Sequence, residues 1–318
     1  MTELAAGGRH RPGAGARLWV MGARPRTLGV GVVPVLLGAA ASGHPKALPT
    51  LGALVVAVGL QVGANLANDY FDGRRGVDTA ARVGPQRLTA SGLVRPGSVL
   101  AAALCCLAVA AAAGLWLALA SGLLWLLLAG AAAVAAALLY TGGPRPYAAT
   151  GLVADLAVFA FFGLMATVGT ADVQGAGAPS RAWWAAVAIG LLAVAVLVAN
   201  NLRDLATDRD AGRHTLVVRL GDGPARVFYA ALITGGVLVP LIGVALGQLP
   251  LLALLSLLAA PALAAPLRVA ADRHREGRGL VPLLPLTVRL HLALGGLLAA
   301  ALLASLLLPH QVGMAHLW

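Results

Sequence analysis

Nine stretches of this 318-residue chain stay apolar for long enough to cross a bilayer core of ~30 Å, which limits the fold before any motif is read. They fall at about 27–43, 48–70, 98–119, 121–140, 149–170, 182–203, 225–247, 249–270 and 287–308. A backbone in lipid has no water to bond, so every N–H and C=O must be satisfied internally, and runs of this length do so as helices. Composition agrees: 59% of residues are hydrophobic, only 11% are charged, and the mean hydropathy is +0.86. The expected fold is all-α, a polytopic membrane protein of nine transmembrane helices.

The ends carry no long apolar run. Residues 1–20 read as a disordered cytoplasmic tail without the apolar segment of a signal peptide, 21–309 as the transmembrane domain, and 310–318 as a short C-terminal tail. Cys105 and Cys106 are adjacent within one apolar run, so they cannot staple distant segments and read as small apolar filler.

A net charge of +11 would suggest nucleic acid in a soluble protein, but here the basic residues sort by loop. All of the 23 Lys and Arg except Lys46 and Arg181 fall in the N-terminal segment or in loops that follow even-numbered spans. The positive-inside rule then places the N-terminus and those loops in the cytoplasm and the C-terminus outside. This is the signature of a cell-membrane protein, and no nucleic-acid partner is expected.

Acids are scarce, and of the 12 Asp and Glu residues, six cluster in two stretches at the ends of apolar runs on the arginine-rich side: "NDYFDGRRGVD" from Asn68 and "NNLRDLATDRDAG" from Asn200. At roughly 100° per residue, Asn65, Asn68, Asp69 and Asp72 share one helical stripe. Asn201, Asp204 and Asp208 make a comparable stripe on the sixth span and its continuation. "ANDYFD" at 67–72 overlays "ANNLRD" at 199–204, and the same offset sets Asp78 on Asp210. A duplication of spans 1–4 as 5–8 would face the two stripes across a central cavity. Carboxylate and amide oxygens flanked by arginines suit a magnesium-chelated diphosphate: Mg²⁺ takes one or two carboxylates plus phosphate oxygens, and guanidinium forks grip the rest. At a membrane, the diphosphate with an apolar tail is a polyprenyl diphosphate. Acids between repeats can also carry coupling ions in a transporter, although transporter sites lie near the midplane and these acids lie at helix ends.

On these motifs the chain resembles the UbiA superfamily of membrane prenyltransferases, and within it the actinobacterial form of the branch that prenylates 1,4-dihydroxy-2-naphthoate in menaquinone synthesis. The similar segments are "GARPRTLGVGVVPVLLG" (22–38), "NDYFDGRRGVDTAARVGPQRLTASGLV" (68–94), "LLYTGGPRPYAATGLVADLAVFAFFG" (138–163) and "LVANNLRDLATDRDAGRHTLVVRLG" (197–221). The resemblance implies a UbiA-type fold of nine helices around a central cavity. It implies that Asp69, Asp72, Asp204 and Asp208, with Asn68, hold Mg²⁺, two ions in all, and are the catalytic acids. Substrate contacts are expected from Asn65, Asn68, Arg82, Arg87, Asn201, Arg213, Tyr140, Arg145, Tyr147 and Asp155. Arg213 stands where related enzymes often have Lys, and Asp155 where this branch commonly has Glu. The implied reaction joins a polyprenyl group to the dihydroxynaphthoate with loss of CO₂ and diphosphate. The acceptors 4-hydroxybenzoate and homogentisate, the isoprenoid length and the oligomeric state stay open at this level; membrane lipid is the surrounding partner.

Overall fold

A computed structural model describes residues 14–76 and 87–308. Among them the structure is helical and contains no strand. Eight helices are long and apolar enough to cross a membrane, as a multi-pass membrane protein requires. In chain order the elements are α1 (Ala14–Ala23), α2 (Pro25–Ser42), α3 (Ala47–Arg75), α4 (Pro96–Ser121) and α5 (Trp125–Leu139). Then come α6 (Leu152–Gly175), α7 (Ser180–Arg203), α8 (Leu205–Asp210), α9 (Leu216–Leu220), α10 (Asp222–Ala245), α11 (Leu251–Ala271) and α12 (Leu283–Leu307). The fourth expected span, 121–140, is the apolar but shorter α5, cut back by the break at Gly122, whose φ of 71° ends α4. Residues 14–20, expected in the tail, are helical in α1.

The two largest helix contacts fall one in each half of the chain. In the first half α3 packs most extensively on α4, and in the second α7 packs on α10. Helix α7 is the hub: 67% of its apolar window is buried against 17% for α3, because α7 contacts α2, α6, α10 and α12. Its buried face is built largely from small residues, including Ala182, Ala185, Ala186, Ala188 and Gly190. A Cβ on Gly163 of α6 would lie 2.7 Å from the Cα of Gly190, so two facing glycines allow the backbones of α6 and α7 to touch, as small residues do at helix crossings in lipid. Over Phe159–Gly169, α6 winds in wide π turns. Large side chains close the far side of the hub: Tyr229, Ile233, Leu290 and Leu294 are all fully buried against it.

Two devices fix the helix ends on the acid-bearing side. Gly76, with a φ of 68°, caps α3 by returning its N–H to the carbonyl of Asp72. Arg226, buried near the start of α10, donates to both carboxylate oxygens of Asp222 at 2.8 and 2.9 Å and to the carbonyls of Ala270 and Asp272 at 3.0 Å, tying α10 to the end of α11.

Candidate active site

The two acid stretches meet through arginine. Asp72, on the last turns of α3, is 3% exposed. Its Oδ1 lies 3.2 Å from Nη2 of Arg213, whose Nη1 lies 3.5 Å from Oδ1 of Asp208 in α8. The other oxygen of Asp72, Oδ2, lies 3.4 Å from Nη2 of Arg87. One guanidinium therefore joins the C-terminal end of α3 to α8, and Asp72 lies between two arginines from different loops. Charges this far from water need partners; the Arg213–Asp208 pair is local, five residues apart, and the Arg213–Asp72 pair crosses 141 residues of chain.

Local sequence explains why Arg213 can reach. Asp208 is held in α8 by its N–H to the carbonyl of Asp204 at 2.8 Å, and its own carbonyl accepts the N–H of Arg213 at 2.9 Å, so the chain turns back at Gly212, φ 67°. The next residue, His214, donates its N–H to the carbonyl of Ala149 at 3.1 Å, which docks this loop on the segment after α5. A cleft of about 270 Å³ opens between these loops, lined by Arg75, Thr141, Pro146, Ala149 and Arg213 among others.

Asp204 is placed differently. The chain leaves helical geometry there, with φ −95° and ψ 8°, so α7 ends and α8 begins. The expected continuous stripe of Asn201, Asp204 and Asp208 is thus broken at its middle member. Asp204 is gripped by its own neighbour: Nε and Nη2 of Arg203 donate to its two oxygens at 2.7 and 2.5 Å, and Nη2 also donates to Oδ1 of Asn200 at 2.8 Å. Asn201 is buried beside them.

The amides and the remaining acid of α3 mostly hold structure. Asn68 accepts the Thr141 hydroxyl at 2.8 Å, and Asn65 donates to the carbonyl of Ala23 at 3.1 Å. Both oxygens of Asp69 accept backbone N–H groups, from Leu88 and Thr89, each at 2.8 Å. Arg75 donates to the carbonyls of Thr141 and Gly143 and so pins the turn that carries Thr141.

The expected acceptor side lies next to this network. The phenol of Tyr140 is within electrostatic reach of Arg213, Asp155 and Asp72, and its ring meets Tyr147 edge-on at 5.3 Å. Tyr147 spends its hydroxyl on the carbonyl of Ala136 at 2.9 Å, and burial pushes its phenol up to about 12. Asp155 is buried in the first turn of α6, and neither carboxyl oxygen has a hydrogen-bond partner among the described residues. Arg145 is exposed with no hydrogen-bond or ion-pair partner among them. Arg82 and Asp78 lie outside the described residues. Sequence reasoning did not single out Arg75, Thr141 or Arg203; Thr141 lies inside the quoted "YTGGPRPY", and Arg203 directly precedes Asp204, which was the available signal.

A hard divalent cation fits this donor set. Among the described residues no three Asp, Glu, His or Cys side chains converge on one point. Mg²⁺ completed by substrate phosphates needs only one or two protein carboxylates. Asp72 and Asp208, both oxygen donors facing one guanidinium, supply such a pair.

The chain is similar to several known proteins. A 1,4-dihydroxy-2-naphthoate octaprenyltransferase of Mycobacterium tuberculosis is 50% identical over 218 residues, covering 68% of this chain and 74% of the relative. The Escherichia coli enzyme of the same name is 36% identical over 225 residues, covering 68% and 73%. In structure, the chain is similar to a UbiA homolog from Aeropyrum pernix with a TM-score of 0.65 at 19% identity, covering 87% of this chain and 97% of the other. A UbiA homolog from Archaeoglobus fulgidus bound to GPP and Mg²⁺ gives 0.62 at 17% identity, with coverage of 89% and 99%. Residues 31–280 match the UbiA prenyltransferase family, and the chain belongs to that family.

Proposed function

We propose that this protein transfers a polyprenyl group from polyprenyl diphosphate to 1,4-dihydroxy-2-naphthoate, releasing CO₂ and diphosphate and forming demethylmenaquinol. The observation that carries the reading is the Asp72–Arg213–Asp208 bridge, which brings oxygen donors from both acid stretches to one guanidinium. The naphthoate acceptor is supported by the names of the relatives at 33–50% identity.

Asp72, Asp204 and Asp208, with Asn68, would hold Mg²⁺, and their three carboxylates plus the diphosphate oxygens suffice for two ions. The metal supplies neutralisation of the charge that grows on the leaving diphosphate. Arg213 and Arg87 turn their forks from Asp72 to the diphosphate oxygens, a bidentate grip that guanidinium geometry favours. The bond between the allylic carbon and the diphosphate oxygen breaks with its electron pair going to the diphosphate. The ring carbon bearing the carboxylate attacks the resulting cation, and the bond to the carboxylate then breaks, returning its pair to the ring as CO₂ departs. Tyr140 and Asp155 border the acceptor. The apolar helices around the site accommodate the isoprenoid tail and keep water from the cation. The arginine-rich ends of the helices face the cytoplasm of a cell-membrane protein, as the loop charges require.

The test is turnover of the purified protein in liposomes with polyprenyl diphosphate, Mg²⁺ and 1,4-dihydroxy-2-naphthoate, with 4-hydroxybenzoate in parallel and EDTA controls. Prenylated product and CO₂ are expected only with the naphthoate and metal. Product with 4-hydroxybenzoate instead would move the acceptor, and no prenyl transfer to either would overturn the reading.

A further inference from the structure

Asp69 stands next to the proposed metal-binding residues in sequence, yet its environment differs from theirs. It is 2% exposed, and each carboxylate oxygen accepts one backbone N–H, Oδ2 from Leu88 and Oδ1 from Thr89, both at 2.8 Å. Two short charge-assisted bonds to successive amides make a fitted cap for the turn at 87–92. Among the described residues no arginine pairs with it, whereas Asp72 and Asp208 share one and Asp204 has its own.

The capped turn is docked on α3 at two further points. Leu88 is fully buried against Leu66 and Ala67 of α3 and Val99 and Ala103 of α4. Gly73 faces Thr89 so closely that a Cβ there would lie 2.7 Å from the threonine Cγ2. Within the turn, the Ser91 hydroxyl donates to the carbonyl of Arg87, and Val94 returns its N–H to the carbonyl of Leu88 at 3.2 Å. The residue before this anchored pair of amides is Arg87, whose guanidinium lies 3.4 Å from Asp72. The second acid stretch adds an independent observation. The position that overlays Asp69 is Asn201, an amide, while Asp72 overlays an acid, Asp204.

We infer that Asp69 is a positioning residue: it locks the 87–92 turn onto α3 so that Arg87 is aimed at the diphosphate, and it is not a metal ligand. This rests on the reading of Asp72 and Asp208 as the diphosphate-metal site. An asparagine at 69 keeps one acceptor but turns an NH₂ toward the second amide, so the turn loses one bond and gains a clash of donors. The effect reaches substrate through Arg87, and the metal site is untouched.

The experiment compares purified Asp69→Asn, Arg87→Ala, their double variant and Asp72→Asn. It reads KM for polyprenyl diphosphate and kcat, and also Mn²⁺ binding in the presence of inorganic diphosphate by electron paramagnetic resonance. Expected for Asp69→Asn is a KM about tenfold higher, with kcat and the Mn²⁺ signal near those of the unaltered protein. The double variant is expected to be no worse than Arg87→Ala alone, since a residue acting through Arg87 has nothing left to act on. Loss of the Mn²⁺ signal in Asp69→Asn to the level of Asp72→Asn overturns the inference, as does a full multiplicative penalty in the double variant. Should Asp69→Asn not fold, Gly73→Ala displaces the same turn without touching a carboxylate. The same rise in KM is then expected, and an unchanged KM overturns the inference. Retention of turnover and Mn²⁺ by Asp72→Asn is a different outcome, and it would sink the site reading itself.

Discussion

The two acid stretches look alike in sequence and are built differently. At the first, α3 runs unbroken from Ala47 to Arg75, so Asn68, Asp69 and Asp72 keep fixed positions on a rigid helix and loops dock onto them. At the second, the helix ends at Arg203 and restarts at Leu205, so Asp204 occupies a joint and Asp208 lies on a short separate helix. The partners differ correspondingly. Asp72 is held by arginines 15 and 141 residues away in sequence, and Asp204 by the residue beside it. The acid spacing is the same in both stretches, while one is a platform and the other a jointed arm. A platform can preorganise substrate contacts, and an arm can adjust its carboxylate to a metal; the proposed reaction needs both.

The largest effect is expected at the point where platform and arm meet. Asp72→Asn removes the carboxylate charge shared by Arg87 and Arg213, and turnover should fall by at least about 10³-fold, measured as kcat in liposomes, with the protein still folded. Near-normal turnover would break the comparison, because the platform would then hold nothing essential. Next is the arm's own lock. Arg203 and Asp204 have side chains 5% and 12% exposed, so Arg203→Ala strands a nearly buried carboxylate and should cost about 3 kcal/mol of stability. It is read as a lower thermal midpoint in detergent. Arg203→Lys keeps the charge without the fork and should fall between the two; a lysine variant as unstable as the alanine would show that fork geometry, and not charge, holds the joint.

Helix content and span number follow from length and hydropathy, because lipid leaves a backbone few alternatives, and eight of the nine expected spans meet the length and hydropathy needed to cross. The shared stripe of Asn68, Asp69 and Asp72 was legible because helical periodicity survives where the helix does. The break at Asp204 was not: no Gly or Pro marks it, and what accompanies it is a side-chain fork from the preceding residue, a local contact that periodicity does not encode. The work of Asp69 was equally hidden, since its partners are two backbone amides about twenty residues on, in a loop whose path only the folded chain specifies. That arginines flank both acid stretches was readable, but that one of them, Arg213, bridges the stretches through Asp72 and Asp208 was not.

Exchange of the one unlike pair sharpens the contrast. Asn201→Asp gives the arm the residue that the platform has at 69. Because no turn among the described residues presents two amides to Asn201, the added charge at a site 8% exposed goes uncompensated and should cost about 2 kcal/mol, seen as a fall in the thermal midpoint. A neutral or stabilising result would mean that the arm has hidden donors equivalent to Leu88 and Thr89.

The smallest effect is expected from the platform's second docked loop. Thr141 donates its hydroxyl to Asn68 Oδ1 at 2.8 Å, while Arg75 independently pins the same turn through the carbonyls of Thr141 and Gly143. Thr141→Val keeps the shape and removes only the hydroxyl, so the loop stays docked and Asn68 alone is loosened. One neutral hydrogen bond contributes about 1 kcal/mol, which corresponds to roughly a fivefold loss in kcat/KM if Asn68 is oriented for diphosphate or metal by that bond. If Asn68 is oriented by α3 itself, kcat/KM is unchanged and only the thermal midpoint moves. A loss of a hundredfold or more would contradict both, and would mean that the 141–143 turn touches substrate directly and belongs to the arm's side of the site as much as to the platform's.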